Sequence, residues 1–85
     1  MSESIWDLVH SRKIENGTEL IWNRKKKGVK HFAVIENGFI KTSDGVLHES
    51  PSGAASHVNE NKPIDGWKCW RLSSDNRLID ELRSY

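Results

Sequence analysis

Arg24, Lys25, Lys26, Lys27 and Lys30 put five positive charges into seven residues with no acid among them. Lys and Arg held beside a polyanion displace its condensed counterions, so such a cluster is the footprint of phosphate binding. A solvated turn that keeps a hairpin soluble or protects a strand edge has the same composition. The remainder of the chain sharpens the contrast. Outside the cluster, 8 of the 13 Lys and Arg stand against 12 Asp and Glu, a balance of −4 in a chain whose total is +1. The chain is thus mildly acidic with one basic spot, of the kind that steers partners by local electrostatics.

The C-terminal half holds further candidates. In Ser50-Pro51-Ser52, Pro51 suits a first helical position, where Ser50 caps the helix. Ser50 and Ser52 can either cap it or combine hydroxyls with free N–H groups to hold one phosphate. His57 lies on the same segment, within reach of a ligand or solvated at the edge of the core. The run Ile64-Asp65-Gly66-Trp67-Lys68-Cys69-Trp70 carries two of the four tryptophans. If it is a strand, Trp67 and Trp70 point opposite ways. One ring then fills the core, and the other lies under a helix or touches a ligand. Gly66 permits a bend or a close backbone approach. Arg71, beside the tryptophans, can meet phosphate or pair with an acid.

Catalytic chemistry finds little support in the same residues. Ser, His and Asp occur without a Gly-x-Ser-x-Gly elbow or other nucleophile context. His10, His31, His48, His57 and Cys69 lack the close paired spacing of a zinc site, and there is no Gly-rich phosphate loop. The expectation is a protein that is not an enzyme and holds no metal or cofactor.

These residues must be positioned by a small domain. Eighty-five residues make one domain that buries roughly 60 to 65% of its unfolded surface, so four Trp and two Phe are expected to form most of the core. No apolar run approaches the roughly 20 residues that span a bilayer. The N-terminus does not read as a signal peptide, and the single Cys69 cannot form an internal disulfide, so cytoplasm is the expected compartment. Ile5, Leu8 and Val9 at i, i+3 and i+4 predict a helix from Ile5 to Arg12, capped by Ser2 or Ser4. Leu20 to Trp22 reads as a strand entering the basic turn, which closes at Gly28, and Val29 to Ile35 as a second strand. Asn37-Gly38 predicts a type I′ hairpin into a third strand, Phe39 to Thr42, and Asp44-Gly45 a repeat of the device before Val46 to Glu49. A second helix starts at Pro51, with Ala54, Ala55 and Val58 as its packing face. Gly66 to Leu72 reads as a fifth strand, and Asn76 to Arg83 as a last helix with Leu78, Ile79 and Leu82 on one face. The fold class is α+β: a small antiparallel sheet of about five strands with about three short helices.

In this order and spacing the segments resemble the RAMA domain, the restriction enzyme and adenine methylase associated domain. The resemblance spans nearly the whole chain. Ser50-Pro51-Ser52-Gly53-Ala54-Ala55 and Gly66-Trp67-Lys68-Cys69-Trp70 carry most of its specificity. It implies a noncatalytic module that binds or senses double-stranded DNA, appended to or working beside a restriction, methylation or other DNA-modifying protein. The initiating Met1 favours a free-standing member over a domain cut from a parent chain. Related domains commonly carry Asn immediately before the Gly-Trp, where this sequence has Asp65, a carboxylate that accepts hydrogen bonds and repels phosphate. Asp65 therefore joins the candidate site as a residue that tunes the contact, or as one that accepts backbone N–H bonds in the turn. The competing reading is a protein-interaction or self-association module of the same fold, docking through an exposed aromatic patch.

Overall fold

The computed structural model describes residues 4–83; Ser2, one of the two expected caps, lies outside them. Ser4 caps helix α1 (Ile5–His10): its hydroxyl accepts from the Asp7 N–H at 3.1 Å, while the Asp7 carboxylate accepts from the Ser4 N–H at 3.0 Å. This reciprocal capping box satisfies two N–H groups that a helix start leaves unpaired. The helix stops short of the expected Arg12, which takes a left-handed backbone with φ of 65°.

Five strands follow the expected meander: β1 (Glu19–Arg24), β2 (Val29–Glu36), β3 (Phe39–Thr42), β4 (Leu47–His48) and β5 (Arg71–Leu72). All neighbours are antiparallel in the order β4-β3-β2-β1-β5. Asn37 and Gly38 both adopt positive φ, 51° and 85°, as a type I′ turn requires. The Asp44-Gly45 turn differs from that expectation, because only Gly45 enters the left-handed region. Asp44 instead stays in ordinary backbone and uses its carboxylate to accept from the Thr42 hydroxyl.

Helix α2 (Pro51–Val58) begins with Ser50, whose hydroxyl accepts from the Gly53 N–H at 3.0 Å, and buries Pro51, Ala54 and Ala55. The core lies on one face of the sheet. Leu20, Ala33, Ile35, Ile40 and Leu72 project from the strands to meet Ile5, Leu8, Ala54, Ala55, Trp70 and Ile79. Among the described residues, the helices thus lie on one face of the sheet, as in other two-layer α+β domains. Among the described residues, no helix is long and apolar enough to cross a membrane.

Three expectations need correction. The first three residues of the segment expected as a fifth strand form a 3-10 turn, Gly66–Lys68, and only Arg71–Leu72 pairs with β1. The cause is tertiary contact: a Cβ on Gly66 would stand 1.9 Å from the Pro51 carbonyl oxygen, so the backbone of this segment is pressed against the start of α2. The expected last helix is also largely absent. Asn76 takes φ of 64°, Leu78 bridges to Arg71, and only Ile79–Leu82 forms a 3-10 turn. A left-handed residue and a return pairing to β5 leave no room for a helix to start there. Finally, the core is mainly aliphatic. Trp70 is fully buried, but Trp6 and Phe32 are 52% and 53% exposed, and Trp22 and Trp67 are half-buried at the core margin. Phe32 falls one residue before buried Ala33, so strand alternation sends it to the face opposite the helices.

The two tryptophans of the Gly66–Trp70 segment should therefore respond differently to truncation. Trp70→Ala should lose about 3–5 kcal/mol of unfolding free energy in urea titrations, and Trp67→Ala clearly less. Gly66→Ala should also destabilise, by about 1–3 kcal/mol, because backbone must move to admit the methyl group. Equal losses at both tryptophans, or a neutral Gly66→Ala, would contradict this packing.

Candidate nucleic-acid interface

The β1–β2 hairpin ends with Arg24 opposite Val29, and the three lysines between form a 3-10 turn, Lys25–Lys27. Gly28 closes it with φ of 64°, its N–H reaching the Lys25 carbonyl at 3.2 Å. Three residues per turn spread consecutive side chains around the axis, so the lysines fan outward, and all three are exposed. Among the described residues, Lys25, Lys26, Lys27 and Lys30 enter no ion pair. Their charge is therefore uncompensated locally.

The base of the turn is tied to the core through stacked rings. The Arg24 guanidinium lies 4.7 Å from the centroid of the Trp22 ring, a cation–π contact. Trp22 meets Trp70 edge-on at 6.1 Å and His31 at 5.5 Å. Burial, with the Arg24 charge as the smaller cause, pushes the His31 pKa below its ordinary value. The imidazole is thus held neutral beside the basic turn.

Between this turn, the Gly66–Lys68 turn and β5 lies a polar cleft of about 340 Å³, lined by Trp22, Asn23, Lys25, Lys68, Cys69, Arg71 and Asn76. Three cations converge there with two amides and the rim of an indole. Arg71 is oriented by donating from Nη1 to the Asn76 carbonyl at 2.8 Å, and Lys68 by donating to Asp80 at 3.2 Å. Burial first, then the Asp65 charge, pushes the Cys69 thiol above its ordinary pKa. It remains a protonated thiol, a weak donor to the Asp65 carbonyl at 3.3 Å, and is a poor nucleophile.

The structure gathers Arg24, Lys25, Lys26, Lys27, Lys30 and Arg71 of the expected site at one end of the sheet. The remaining candidates each hold a partner within the chain. Ser50 caps α2, and the Ser52 hydroxyl accepts from the Gly66 N–H at 3.0 Å. Asp65 caps its own turn, accepting from the Trp67 N–H at 3.1 Å. Trp70 is core, and its indole N–H donates to the Pro51 carbonyl at 3.2 Å. The Trp67 ring is covered by the Arg83 guanidinium at 4.1 Å, itself paired with Asp80. His57 binds Asp44 at 2.5 Å. Sequence reasoning missed Trp22, Asn23, Lys68 and Asn76. For the first two the signal was available, since residues immediately preceding a basic turn on a strand must end beside it.

Residues 3–85, which include the clasped segments Ser50-Pro51-Ser52 and Gly66-Trp67-Lys68-Cys69-Trp70, match the family described as Restriction Enzyme Adenine Methylase Associated, RAMA. The chain belongs to the RAMA family. A comparison with curated proteins gives no match. In this RAMA domain, the motif serines, Trp67 and Trp70 have partners within the chain, whereas Lys25, Lys26, Lys27 and Lys30 are exposed.

A second polar cluster fastens the β3–β4 turn of the RAMA domain to α2. Thr42 Oγ1 donates to Asp44 at 2.5 Å and lies 3.3 Å from His48 Nε2, while the His48 and His57 rings are 4.8 Å apart. The Thr42 hydroxyl and then His57 hold the Asp44 carboxyl far below the usual carboxylate range. Burial, then the His57 charge, lowers the His48 pKa. Both depressed groups favour folding when deprotonated, so each contribution is complete above the unfolded pKa and declines as pH falls. The melting temperature should begin to drop below about pH 6.5, where His48 and His31 protonate in the unfolded chain, and more steeply below about pH 4. Asp44→Asn should lower the melting temperature at pH 7, with the difference from wild type shrinking toward pH 3. A difference independent of pH would refute the role given to Asp44.

Proposed function

We propose that this RAMA domain is a noncatalytic module that binds double-stranded DNA. The observation that carries the proposal is the exposed and unpaired cluster Lys25, Lys26, Lys27 and Lys30, backed by Arg24 on Trp22 and continuous with Lys25, Lys68 and Arg71 of the polar cleft. Clustered cations on an exposed turn match a phosphate backbone, and such contacts supply affinity without reading sequence. The Asn23 and Asn76 amides beside them can both donate and accept, which is the chemistry a sugar or base edge requires.

A noncatalytic role agrees with the state of the nucleophiles. The Thr42 hydroxyl donates to a carboxylate, the Ser50 and Ser52 hydroxyls serve as internal acceptors, and the Cys69 thiol is held protonated. The family description ties the domain to restriction enzymes and adenine methylases. The fitting partner, or parent chain, is accordingly a protein that modifies or cleaves DNA, to which this domain brings a grip on the duplex.

Replacing Lys25, Lys26 and Lys27 together with Ala should weaken binding to all duplexes alike and flatten the slope of log affinity against log salt by up to about 0.9 per lost contact. Fluorescence anisotropy with labelled duplexes of unrelated sequence, at several salt concentrations, reads both quantities. Undiminished affinity in the folded triple variant would exclude the basic turn. Asp65→Asn provides the complementary test. The amide keeps the oxygen that caps Trp67 while the negative charge is removed, so duplex affinity should rise by about 1 kcal/mol with no change in melting temperature. A loss of stability without a gain in affinity would restrict Asp65 to its capping role.

A further inference from the structure

Among the described residues, no helix lies on the face of the sheet opposite the core, and its side chains follow from the register. Glu36 and Phe39 form the first row, Glu19, Val34 and Lys41 the second, Arg71, Ile21 and Phe32 the third, and Asn23 and Lys30 the last. Phe32, 53% exposed, stands near the middle, and Leu47, 50% exposed, at the β4 side. A groove of about 420 Å³ runs beside Phe32 between Glu19, Val34 and Lys41. An exposed phenylalanine flanked by valine and isoleucine on an uncovered sheet is the composition of a packing surface.

The charges on this face are sorted along the strands. Glu19 and Glu36 occupy one end, Arg71 and Lys30 the other; Lys41 alone is out of place, and it pairs loosely with Glu36 at 3.9 Å. Duplex DNA laid on the face would meet both glutamates. A second copy turned end for end sets both glutamates against cations. Rotation by half a turn about an axis lying between the sheets and across the strands sets Glu36 over Lys30 of the second copy and Glu19 beside Arg71 of the second copy. It also brings Phe32 against Val34 of the second copy. Rotation about an axis along the strands would stack acid on acid. Pairing through strand edges is disfavoured, because β4 and β5 are only two residues long, too short to template another strand.

We infer that the open sheet face is a self-association surface, on which two copies of this chain pack face to face with strand directions reversed. The arrangement is isologous, each ion pair occurring twice, and resembles the aligned packing of a β-sandwich with the sheets about 10 Å apart. It shares Lys30 and Arg71 with the proposed DNA contact, whereas Phe32 and Glu36 lie outside that contact, and it forms without DNA.

Sedimentation velocity of the full chain over a concentration series, in the absence of DNA, tests it. The wild type should show a monomer–dimer equilibrium, and Phe32→Ser should raise the dissociation constant at least tenfold while far-UV circular dichroism stays unchanged. Glu36→Lys and Lys30→Glu should each weaken dimerisation on their own, because the repulsive contact then occurs twice. An equimolar mixture of these two variants should dimerise again, since every contact between unlike chains regains opposite charges. A wild type that stays monomeric to about 1 mM, where even a complex of only about 4 kcal/mol would be half formed, overturns the inference. So does a dimer indifferent to Phe32→Ser, or a mixture that fails to recover.

Discussion

The whole arrangement hangs on one close backbone approach, in which Gly66 lies against the Pro51–Ser52 peptide. A side chain at position 66 would overlap the Pro51 carbonyl group; without one, the Gly66 N–H reaches the Ser52 hydroxyl and the Trp70 indole reaches the Pro51 oxygen. This clasp joins the C-terminal quarter of the chain to α2 by polar contacts that are satisfied on both sides, which matters because the Trp70 indole N–H is buried. The Trp70 ring then fills the centre of the core and presents an edge to Trp22. Trp22 in turn carries Arg24. Position is thus passed from Gly66, through Trp70 and Trp22, to the base of the basic turn.

The clasp also explains why a basic turn becomes more than a solvated hairpin end. By forcing Gly66–Lys68 into a 3-10 turn, it brings Lys68 beside β1, and the short β5 brings Arg71. The cleft between them gains cations from segments more than forty residues apart in sequence. Asp80 reaches Lys68 at the edge of this cleft as well as Arg83, but Asp44 is engaged by Thr42 and His57 and Asp75 by Arg77. A nearly neutral protein is left with Lys25, Lys26, Lys27 and Lys30 without an ion pair among the described residues at one end of its sheet, where fields from neighbouring cations add.

Much of this was legible in the sequence where local chemistry decides. Asn37-Gly38 specified its turn because few other residues tolerate two successive positive φ angles. Ser50-Pro51 specified the start of α2, and the cluster from Arg24 to Lys30 announced itself by charge alone. The errors fall where a distant contact overrides local preference. Gly66 to Leu72 has the alternation and aromatic content of a strand, and nothing within those residues reveals that Pro51 presses on Gly66. The stretch from Asn76 to Arg83 has helical spacing, yet Asn76 is left-handed and Leu78 is drawn back to Arg71. Phe32 and Trp6 were expected in the core by type. Strand alternation exposes Phe32, whereas Trp6 lies stacked on His10 along the outside of α1. The motif tryptophans attract attention as ligand contacts, but Trp22, outside any motif, is the ring beside the basic turn.

The central claim is that duplex DNA meets the end of the sheet where the basic turn and the polar cleft adjoin. An amide NMR titration of the chain with a short duplex tests it most directly, because every described backbone N–H reports separately. The expected result is a set of salt-sensitive shifts concentrated at Trp22 to Lys30 and at Lys68, Arg71 and Asn76, with α2 and the Asp44–His57 cluster unperturbed. Shifts centred on α2 or on Phe32 and Val34, or a spectrum unchanged by duplex at low salt, would contradict it.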